Sequence, residues 1–280
     1  MKWYKLVFKQ NQPIHIGSLN WGVINQTLIF VPGWTIWGAL TKAYNMDRKQ
    51  PLSENQELFE VITCFYPSFD ENGNNPLFPE YKDGVFHLGK YPENKFRYEF
   101  TDTFVSTSIL PESRGAKEES LHETEIFLPG SKGENKKLYW VGILGINDSC
   151  QSDLNNFLKE GLKIYVGGDA RYGLGELELV KKDSITNNNV DLKKWQITED
   201  GMFDNSLLNE LLNEGLKNFL EFSADLAFEG ELILHAEFSF LQNLPQVKEG
   251  RYFITPGSKI LNNINFNYKL KKGKFIKQGG

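Results

Sequence analysis

The ten residues VGGDARYGLG, at positions 166–175, say most about how this chain folds. Four glycines surround one arginine, Arg171, and one tyrosine, Tyr172. Glycine adopts backbone conformations that are closed to other residues, so the stretch predicts a tight turn that a ligand can approach closely. The flanking residues 163–166 and 174–180 are rich in Ile, Val, Leu and Tyr, which predicts a strand on either side of the turn.

This glycine-rich loop has the chemistry of a phosphate-binding turn. Exposed amides in such a turn can hold phosphate oxygens, Arg171 adds a charge-assisted contact, and Tyr172 can stack on a base. The loop lacks the GK[ST] ending of a nucleotide-binding P-loop. Because a strand follows it rather than a helix, it is not a dinucleotide-binding fingerprint either. A purely structural hairpin with a glycine bulge is the alternative.

The segments on either side of the loop predict an α+β fold. The predicted elements are strands at 1–9 and 27–31, a helix that Thr35 or Gly33 can cap and that runs to about Asn45, strands at 121–128 and 138–146, a helix capped by Ser152, and strands at 163–166 and 174–180. With the first two short strands merged, the order is strand, helix, strand, strand, helix, strand. This order is that of a ferredoxin-like (RRM-like) βαββαβ core.

A long insertion interrupts this predicted core. Residues 46–118 break the regular pattern, apart from one predicted strand at 96–106, and long irregular insertions in compact domains are often functional. We therefore predict a core with its insertion over residues 1–180. Residues 181–280 then form a second, smaller or degenerate ferredoxin-like half, or a C-terminal extension.

The last hundred residues begin with a predicted polar linker at 181–189. An amphipathic helix over 207–220 and strands at 231–240, 251–255 and 264–268 are predicted after it. The chain carries a net charge of −5, yet residues 248–277 contain eight basic residues and one acid. Five lysines are predicted to form a flexible basic end that gathers phosphates or serves only solubility: Lys269, Lys271, Lys272, Lys274 and Lys277.

Several classes of protein are excluded by composition. Two cysteines cannot form a disulfide framework, and the four histidines lack the spacing of metal ligands. On the predicted strand at 121–128, alternation puts His122 on the opposite face from Glu123, which is poor geometry for a metal site. The sequence contains neither a signal peptide nor an apolar run of the ~18 residues that a membrane span needs. We expect a soluble cytoplasmic protein with no cofactor, no metal and no membrane partner.

Four motifs follow one another in a recognisable order. They are HIGS at 15–18, VPGWTIWGAL at 31–40, LHETE at 121–125 and the glycine-rich loop. Together they resemble the RAMP superfamily of CRISPR-associated proteins over about residues 1–180. The resemblance implies ferredoxin-like domains, a glycine-rich loop that touches RNA, and membership in a CRISPR effector complex. Its implied partners are CRISPR guide RNA and other effector subunits, namely the backbone subunits and the large subunit.

The resemblance also bears on which role the chain has. Backbone subunits of type III complexes cut RNA with an aspartate in the loop before the Pro-Gly helix start, and residues 21–27 contain no carboxylate. Processing endonucleases of the superfamily pair a histidine near the N-terminus with a glycine-rich loop close to the C-terminus, whereas this loop lies far from the end of the sequence. Neither cutting role is therefore expected.

The third role is the subunit that grips the 5′ handle of the guide RNA and caps the backbone filament. Its type III forms carry a degenerate second half, and TPGSK at 255–259 resembles a stretch near the end of that group. We therefore expect a non-catalytic crRNA-binding subunit of a type III effector complex in antiviral defence. A non-cutting backbone subunit, a protein-interaction subunit and an RNA-processing endoribonuclease with His15 as its base are the alternatives. The protein-interaction alternative depends on exposed aromatic residues in the insertion: Phe59, Phe65, Tyr66, Phe69, Phe78 and Tyr81.

The candidate RNA-binding residues come from the motifs and from a loop of the insertion that could form a thumb over the RNA. No catalytic residue is predicted. The candidates are His15, Gly17, Ser18, Gly33, Trp34, Thr35, Arg114, Lys117, Gly167, Gly168, Arg171, Tyr172, Gly173 and Gly175.

Overall fold

The structure is a computed structural model, and it describes residues 1–185, 188–207, 214–239, 244–262 and 267–278. The described residues form strands in several sheets together with a few helices, so the predicted α+β class is confirmed. The α-helices are α1 (Gly33–Asp47), α2 (Glu93–Phe100), α3 (Gln151–Phe157) and α4 (Asn188–Lys194). Short 3₁₀ helices lie at Gln56–Phe59, Asp148–Cys150, Ala170–Tyr172 and Asn205–Leu207.

The strands are numbered along the chain. They are β1 (Lys2–Gln10), β2 (Gly17–Trp21), β3 (Ile24–Thr27), β4 (Tyr66–Ser68), β5 (Pro79–Lys82), β6 (Val85–Leu88), β7 (Tyr91–Pro92), β8 (Thr101–Ser106), β9 (His122–Phe127), β10 (Tyr139–Ile146), β11 (Lys163–Tyr165), β12 (Glu176–Ser184), β13 (Phe219–Glu221), β14 (Phe228–Glu229), β15 (Leu232–Ser239), β16 (Gln246–Ile254), β17 (Lys259–Ile260), β18 (Tyr268–Lys271) and β19 (Lys274–Lys277).

The first sheet has the strand order β11-β12-β1-β10-β4, with antiparallel neighbours throughout. The crossovers β1–α1–β4 and β10–α3–β12 each join strands that run parallel with one strand between them. This is the arrangement of a βαββαβ unit, with β11 added at one edge. Every residue of the central strand β10 is buried, and Gly142 leaves the room that the Phe65 ring fills, since a Cβ there would lie 2.4 Å from the ring.

The second strand of this unit is not the one the sequence predicts. Residues 66–68 occupy that place as β4, whereas the predicted strand at 121–128 is β9 of another sheet, ordered β2-β3-β9-β8. The predicted strand at 27–31 is also wrong, because β3 ends at Thr27 and Val31 forms only an isolated bridge to Phe65. The insertion therefore contains several strands and helix α2, and β5, β6 and β7 form a small sheet of their own.

The predicted strand at 96–106 is half wrong, because helix α2 precedes β8. The aromatic residues at 96, 98 and 100 alternate as in a strand. In the structure Phe96 and Phe100 lie one helical turn apart with ring centroids 4.7 Å from each other, and both are buried. Tyr98 faces outward and is 78% exposed. The period is therefore that of a helix, with the middle aromatic residue left in solvent.

The second large sheet has the order β15-β16-β13-β19-β18 and contains one parallel pair, β13 with β19. The predicted linker at 181–189 is wrong at its start, because residues 181–184 continue β12 and pair with β1. The predicted helix over 207–220 ends as strand β13, and residues 208–213 lie outside the described residues. Phe240 and residues 264–266, which belong to predicted strands, also lie outside them.

The C-terminal lysines lie in the ordered hairpin β18–β19, so the predicted flexible basic end is wrong. Lys274 is buried, and its Nζ lies 3.1 Å from a carboxylate oxygen of Glu237. The Lys272 Nζ lies 3.7 Å from the centroid of the Trp37 ring and 3.4 Å from a carboxylate oxygen of Glu60. These ion pairs and ring contacts hold Lys272 and Lys274 against the fold, whereas Lys269 and Lys271 lie in the same hairpin with exposed side chains.

Candidate functional site

The glycine-rich loop folds into a closed turn between β11 and β12. The Val166 amide donates to the Gly175 carbonyl at 3.0 Å and closes the base of the turn. The short 3₁₀ helix Ala170–Tyr172 forms its tip. Gly167, Gly173 and Gly175 all have positive φ angles, between 76° and 97°, which glycine adopts without strain.

The loop packs against the segment that precedes β2. The Gly168 amide donates to the His15 carbonyl at 2.9 Å, and the Gly175 amide donates to the Pro13 carbonyl at 2.8 Å. A Cβ at position 167 would lie 2.0 Å from the His15 carbonyl oxygen. Gly167 is therefore required by a close approach of two backbone segments as well as by its φ angle.

His15 lies at this junction with most of its surface buried. Its Nδ1 is 2.8 Å from the carbonyl oxygen of Glu125 on β9. Gly17 and Ser18 follow it in the exposed strand β2. The structure thus brings three predicted residues from the N-terminal motif together with the predicted glycine-rich loop.

The tip of the loop presents two side chains to solvent. Tyr172 is 76% exposed, and Arg171 is also exposed. Within the described residues Arg171 has neither a hydrogen-bond partner nor an ion-pair partner for its guanidinium group. A cation without a partner and an exposed phenol ring beside it can meet a phosphate and a base.

A hydrogen-bond network that was not predicted from the sequence supports this junction. The Glu125 carboxylate accepts hydrogen bonds from the Arg97 guanidinium at 2.8 Å, from the Thr27 amide at 2.9 Å and from the Thr101 hydroxyl at 3.0 Å. The Thr27 hydroxyl in turn accepts from the Ile16 amide at 2.9 Å. The network therefore ties α2, β3, β8 and β9 to the residue that follows His15.

The missed residue Arg97 does have a signal in the sequence. Glu93 lies four residues before it, and the two side chains pair on α2 at 2.8 Å. An acid four residues before a base is the spacing of a helical ion pair. Because residues 96–106 were predicted to be a strand, this helical spacing was not recognised.

The N-terminus of α1 is packed under the second sheet. Gly33 is buried, and a Cβ there would lie 2.5 Å from backbone atoms of Gly273. Gly33 has no open surface for a ligand and does not enter the site proposed below. Thr35 is half-buried, and its amide already donates to the Pro32 carbonyl at 3.0 Å.

Trp34 lies at the border of this region. Its ring stacks on His235 of β15 with centroids 4.6 Å apart, so that one face of the indole is already covered. Burial and the nearby Lys274 lower the pKa of His235. The rest of Trp34 lines a cleft of about 600 Å³, which Gly17 and Ser18 also line. The cleft therefore connects Trp34 with the N-terminal motif.

Arg114 and Lys117 lie in the exposed loop that joins β8 to β9. The backbone there is ordered by hydrogen bonds from Arg114 to Leu110 at 2.8 Å and from Lys117 to Ser108 at 2.8 Å. Within the described residues no hydrogen bond joins these two residues to the glycine-rich loop. They form a separate projection, on which Glu112, Glu118 and Glu119 also lie.

The six aromatic residues of the insertion that were predicted to be exposed do not form a protein-docking surface. Phe59, Phe65 and Tyr66 are fully buried, and Tyr81 is 8% exposed. Phe69 and Phe78 are partly buried and pack against the same core. The basis of the predicted protein-interaction subunit is therefore wrong, because these rings fill the interior.

The fold is similar to that of chains in solved structures. It matches a chain in the cryo-EM structure of the Type III-B Cmr-beta bound to cognate target RNA with a TM-score of 0.59 and 15% identity, covering 98% of this chain and 99% of that one. It also matches a chain in the cryo-EM structure of the Type III-B Cmr-beta bound to cognate target RNA and AMPPnP, state 1, with a TM-score of 0.56 and 16% identity, covering 92% and 85%. At these identities the likeness establishes a shared fold. No family model and no curated protein sequence matches the chain.

Two further features concern membranes and metals. Among the described helices none combines the length and the apolar character of a membrane span. Within the described residues no three His, Cys, Asp or Glu side chains are placed to hold a metal ion.

Proposed function

We propose that this chain is a non-catalytic, cytoplasmic subunit of a type III CRISPR effector complex that acts in antiviral defence. In this proposal it grips the 5′ handle of the guide RNA and caps the filament of backbone subunits. The observation that carries the proposal is the docking of the glycine-rich loop on His15, which leaves Arg171 and Tyr172 free in solvent at the loop tip. The whole-chain fold likeness to a chain of the Type III-B Cmr-beta bound to target RNA supports membership in such a complex, without bearing on the handle.

The proposed RNA path begins at the loop tip. Arg171 contacts a phosphate, Tyr172 stacks on a base, and backbone amides of the turn donate hydrogen bonds to further phosphate oxygens. His15, Gly17 and Ser18 continue the surface, and the cleft beside Trp34 extends it. Arg114 and Lys117, on their separate projection, contact the RNA from outside this surface.

The proposal also names partners. Neighbouring backbone subunits and the large subunit of the complex complete the RNA channel. A non-cutting backbone subunit uses the same loop but binds along the guide, so it does not require the handle. An endoribonuclease shortens the RNA, which the same binding reactions reveal on a denaturing gel.

The experiment is binding of labelled CRISPR repeat RNA, with and without its 5′ handle, across a salt series. We compare wild type with Arg171→Ala/Tyr172→Ala. The control is Lys95→Ala/Tyr98→Ala, which removes one exposed cation and one exposed tyrosine from α2 instead.

We expect handle-dependent binding that the loop variant loses and the control keeps. Loss of one phosphate contact to a single strand lowers the salt slope by about 0.7. Equal, weak binding of all RNAs by all three proteins would refute the handle-binding role.

A further inference from the structure

We propose that His15 accepts a hydrogen bond from a ribose 2′-hydroxyl and so makes this site select RNA over DNA. The inference rests on the proposed RNA-binding function and adds a specificity-determining residue to it. It follows from the hydrogen-bond partner of the His15 Nδ1 atom and from the surroundings of the Nε2 atom.

The partner of Nδ1 fixes the tautomer of His15. The group 2.8 Å from Nδ1 is the backbone carbonyl oxygen of Glu125, which can only accept a hydrogen bond. Nδ1 must therefore carry a hydrogen. In the neutral imidazole, Nε2 then holds a lone pair and can only accept.

The Glu125 carbonyl is held in place because both the side chain and the backbone of Glu125 are fixed. The Glu125 carboxylate is bonded to Arg97, Thr27 and Thr101, and its carbonyl is part of the β9 backbone. The ring of His15 is therefore oriented by a fixed acceptor.

His15 as a whole is only 8% exposed, but its Nε2 atom is not sealed from solvent. Within the described residues Nε2 has no hydrogen-bond partner, and it is not among the fully buried side-chain atoms that lack one. It therefore reaches solvent. Its neighbours are glycines: a Cβ at Gly17 would lie 3.9 Å from Nε2, and one at Gly168 would lie 3.7 Å from Cδ2 of the same ring. With no side chains at these positions, a ribose can approach the ring edge.

An acceptor at this place selects among the groups of a nucleic acid. Phosphate oxygens are acceptors only, so they do not pair with the Nε2 lone pair. The 2′-hydroxyl is a donor that every ribonucleotide carries and that deoxyribonucleotides lack. Base N–H groups are donors as well, but they depend on sequence.

The test is a double-mutant cycle, in which RNA-binding affinity is measured for each combination of protein variant and RNA variant. We substitute His15→Asn, because the asparagine amide can still donate to the Glu125 carbonyl while the Nε2 acceptor is removed. The control is His87→Asn, since His87 also has its Nδ1 against a backbone carbonyl, that of Val85 at 2.9 Å, but lies on β6. Thermal unfolding of both variants checks that they fold.

The probes are the handle RNA, the same strand as DNA, and handle RNAs that carry one 2′-fluoro substitution at each position in turn. Fluorine keeps the size and the sugar pucker of RNA but cannot donate a hydrogen bond. Binding is measured at pH 8, where histidine side chains are predominantly neutral.

We expect one 2′-fluoro position to weaken wild-type binding by about 3- to 10-fold, the effect of one hydrogen bond. His15→Asn weakens binding of the unmodified RNA by a similar factor, is insensitive to fluorine at that position and binds DNA as wild type does. His87→Asn behaves as wild type with every probe.

Two results would overturn the inference. In one, His15→Asn weakens RNA and DNA equally, which indicates a phosphate contact or a positioning role. In the other, no 2′-fluoro position matters although His15→Asn weakens RNA binding, which assigns the contact to a base. If wild type binds no RNA at all, the proposed function itself fails.

Discussion

The close approach of Gly167 to His15 makes a quantitative prediction possible, because the same loop contains a matched control. Gly167 and Gly173 have φ angles of +76° and +82°, so alanine suffers the same backbone strain at either position. They differ in their surroundings. Nothing lies within 4 Å of a Cβ built on Gly173, whereas a Cβ on Gly167 would lie 2.0 Å from the His15 carbonyl oxygen.

The expected costs follow from this difference. Gly173→Ala costs about 1 kcal/mol of the free energy of unfolding, the strain of an L-residue in the left-handed region. Gly167→Ala has the same strain and in addition must push two backbone segments apart, which costs about 1–3 kcal/mol by overpacking. It also breaks the bond from the Gly168 amide to His15, which contributes about 1 kcal/mol. We therefore expect a loss of about 3–5 kcal/mol for Gly167→Ala.

Urea unfolding of wild type and the two variants measures this difference, and RNA binding is measured on the same samples. Gly167→Ala should lose RNA binding together with stability, because the loop no longer docks on His15. Equal destabilisation by the two alanines would refute the reasoning, since it would mean that the backbone contact with His15 is absent.

Three more predictions test other parts of the structure. Lys274→Ala should cost about 2 kcal/mol of the free energy of unfolding, because it removes the Glu237 pair and packing against Trp34. Alanine at the exposed Lys269 should change that free energy by less than about 0.5 kcal/mol. Urea unfolding measures both variants, and equal effects would mean that these lysines form a flexible end after all. Arg97→Ala should cost about 2–3 kcal/mol by leaving the Glu125 carboxylate without its cation, and no loss of stability would contradict a supporting network. Burial raises the pKa of the Cys64 thiol to about 12, so a thiol reagent at pH 8 should modify Cys64 only after unfolding; modification in the native state would be inconsistent with a buried thiol.

Parts of the fold could be predicted from local sequence alone. Strands β1, β10 and β12 and helix α1 lie close to their predicted positions, because each has a dense apolar pattern of one period. The strand β4 could not be found in this way. It has three residues and contains Pro67, which is tolerated because β4 lies at the edge of its sheet. A short edge strand with a proline has almost no strand signal.

Alternation predicts a strand but not its partners. Residues 122–127 do form a strand, as their pattern indicates, yet they pair with β3 and β8 and not with the central sheet. The choice of partner depends on contacts between residues far apart in the sequence. The contact of Gly33 with Gly273 is another such case, and it removes one predicted ligand contact from the surface.

In the candidate site, too, the local features could be predicted from the sequence and the long-range contacts could not. The glycine-rich loop could be predicted because its chemistry lies within ten consecutive residues. Its docking on His15 joins residues more than 150 positions apart, and no local pattern carries that information. The Arg97–Glu125 support was hidden for the same reason, since it depends on which face of α2 meets β9.

The distribution of charge also constrains how such a site holds RNA. The lysines that make residues 248–277 basic are largely paired: Lys271 and Lys272 with Glu60, and Lys274 with Glu237. At the glycine-rich loop, Lys163 is paired with Glu176, so Arg171 is the cation left for a phosphate. One phosphate contact to a single strand corresponds to a salt slope of about 0.7. If the isolated chain binds the handle at all, most of its affinity must therefore come from amides, stacking and hydroxyl contacts, which salt does not screen. A salt slope of about 0.7 from Arg171, rising to about 2 with Arg114 and Lys117 also on phosphates, together with a strong preference for RNA over DNA, is the combination that this arrangement predicts. A much steeper slope would mean that phosphates are held elsewhere on the chain.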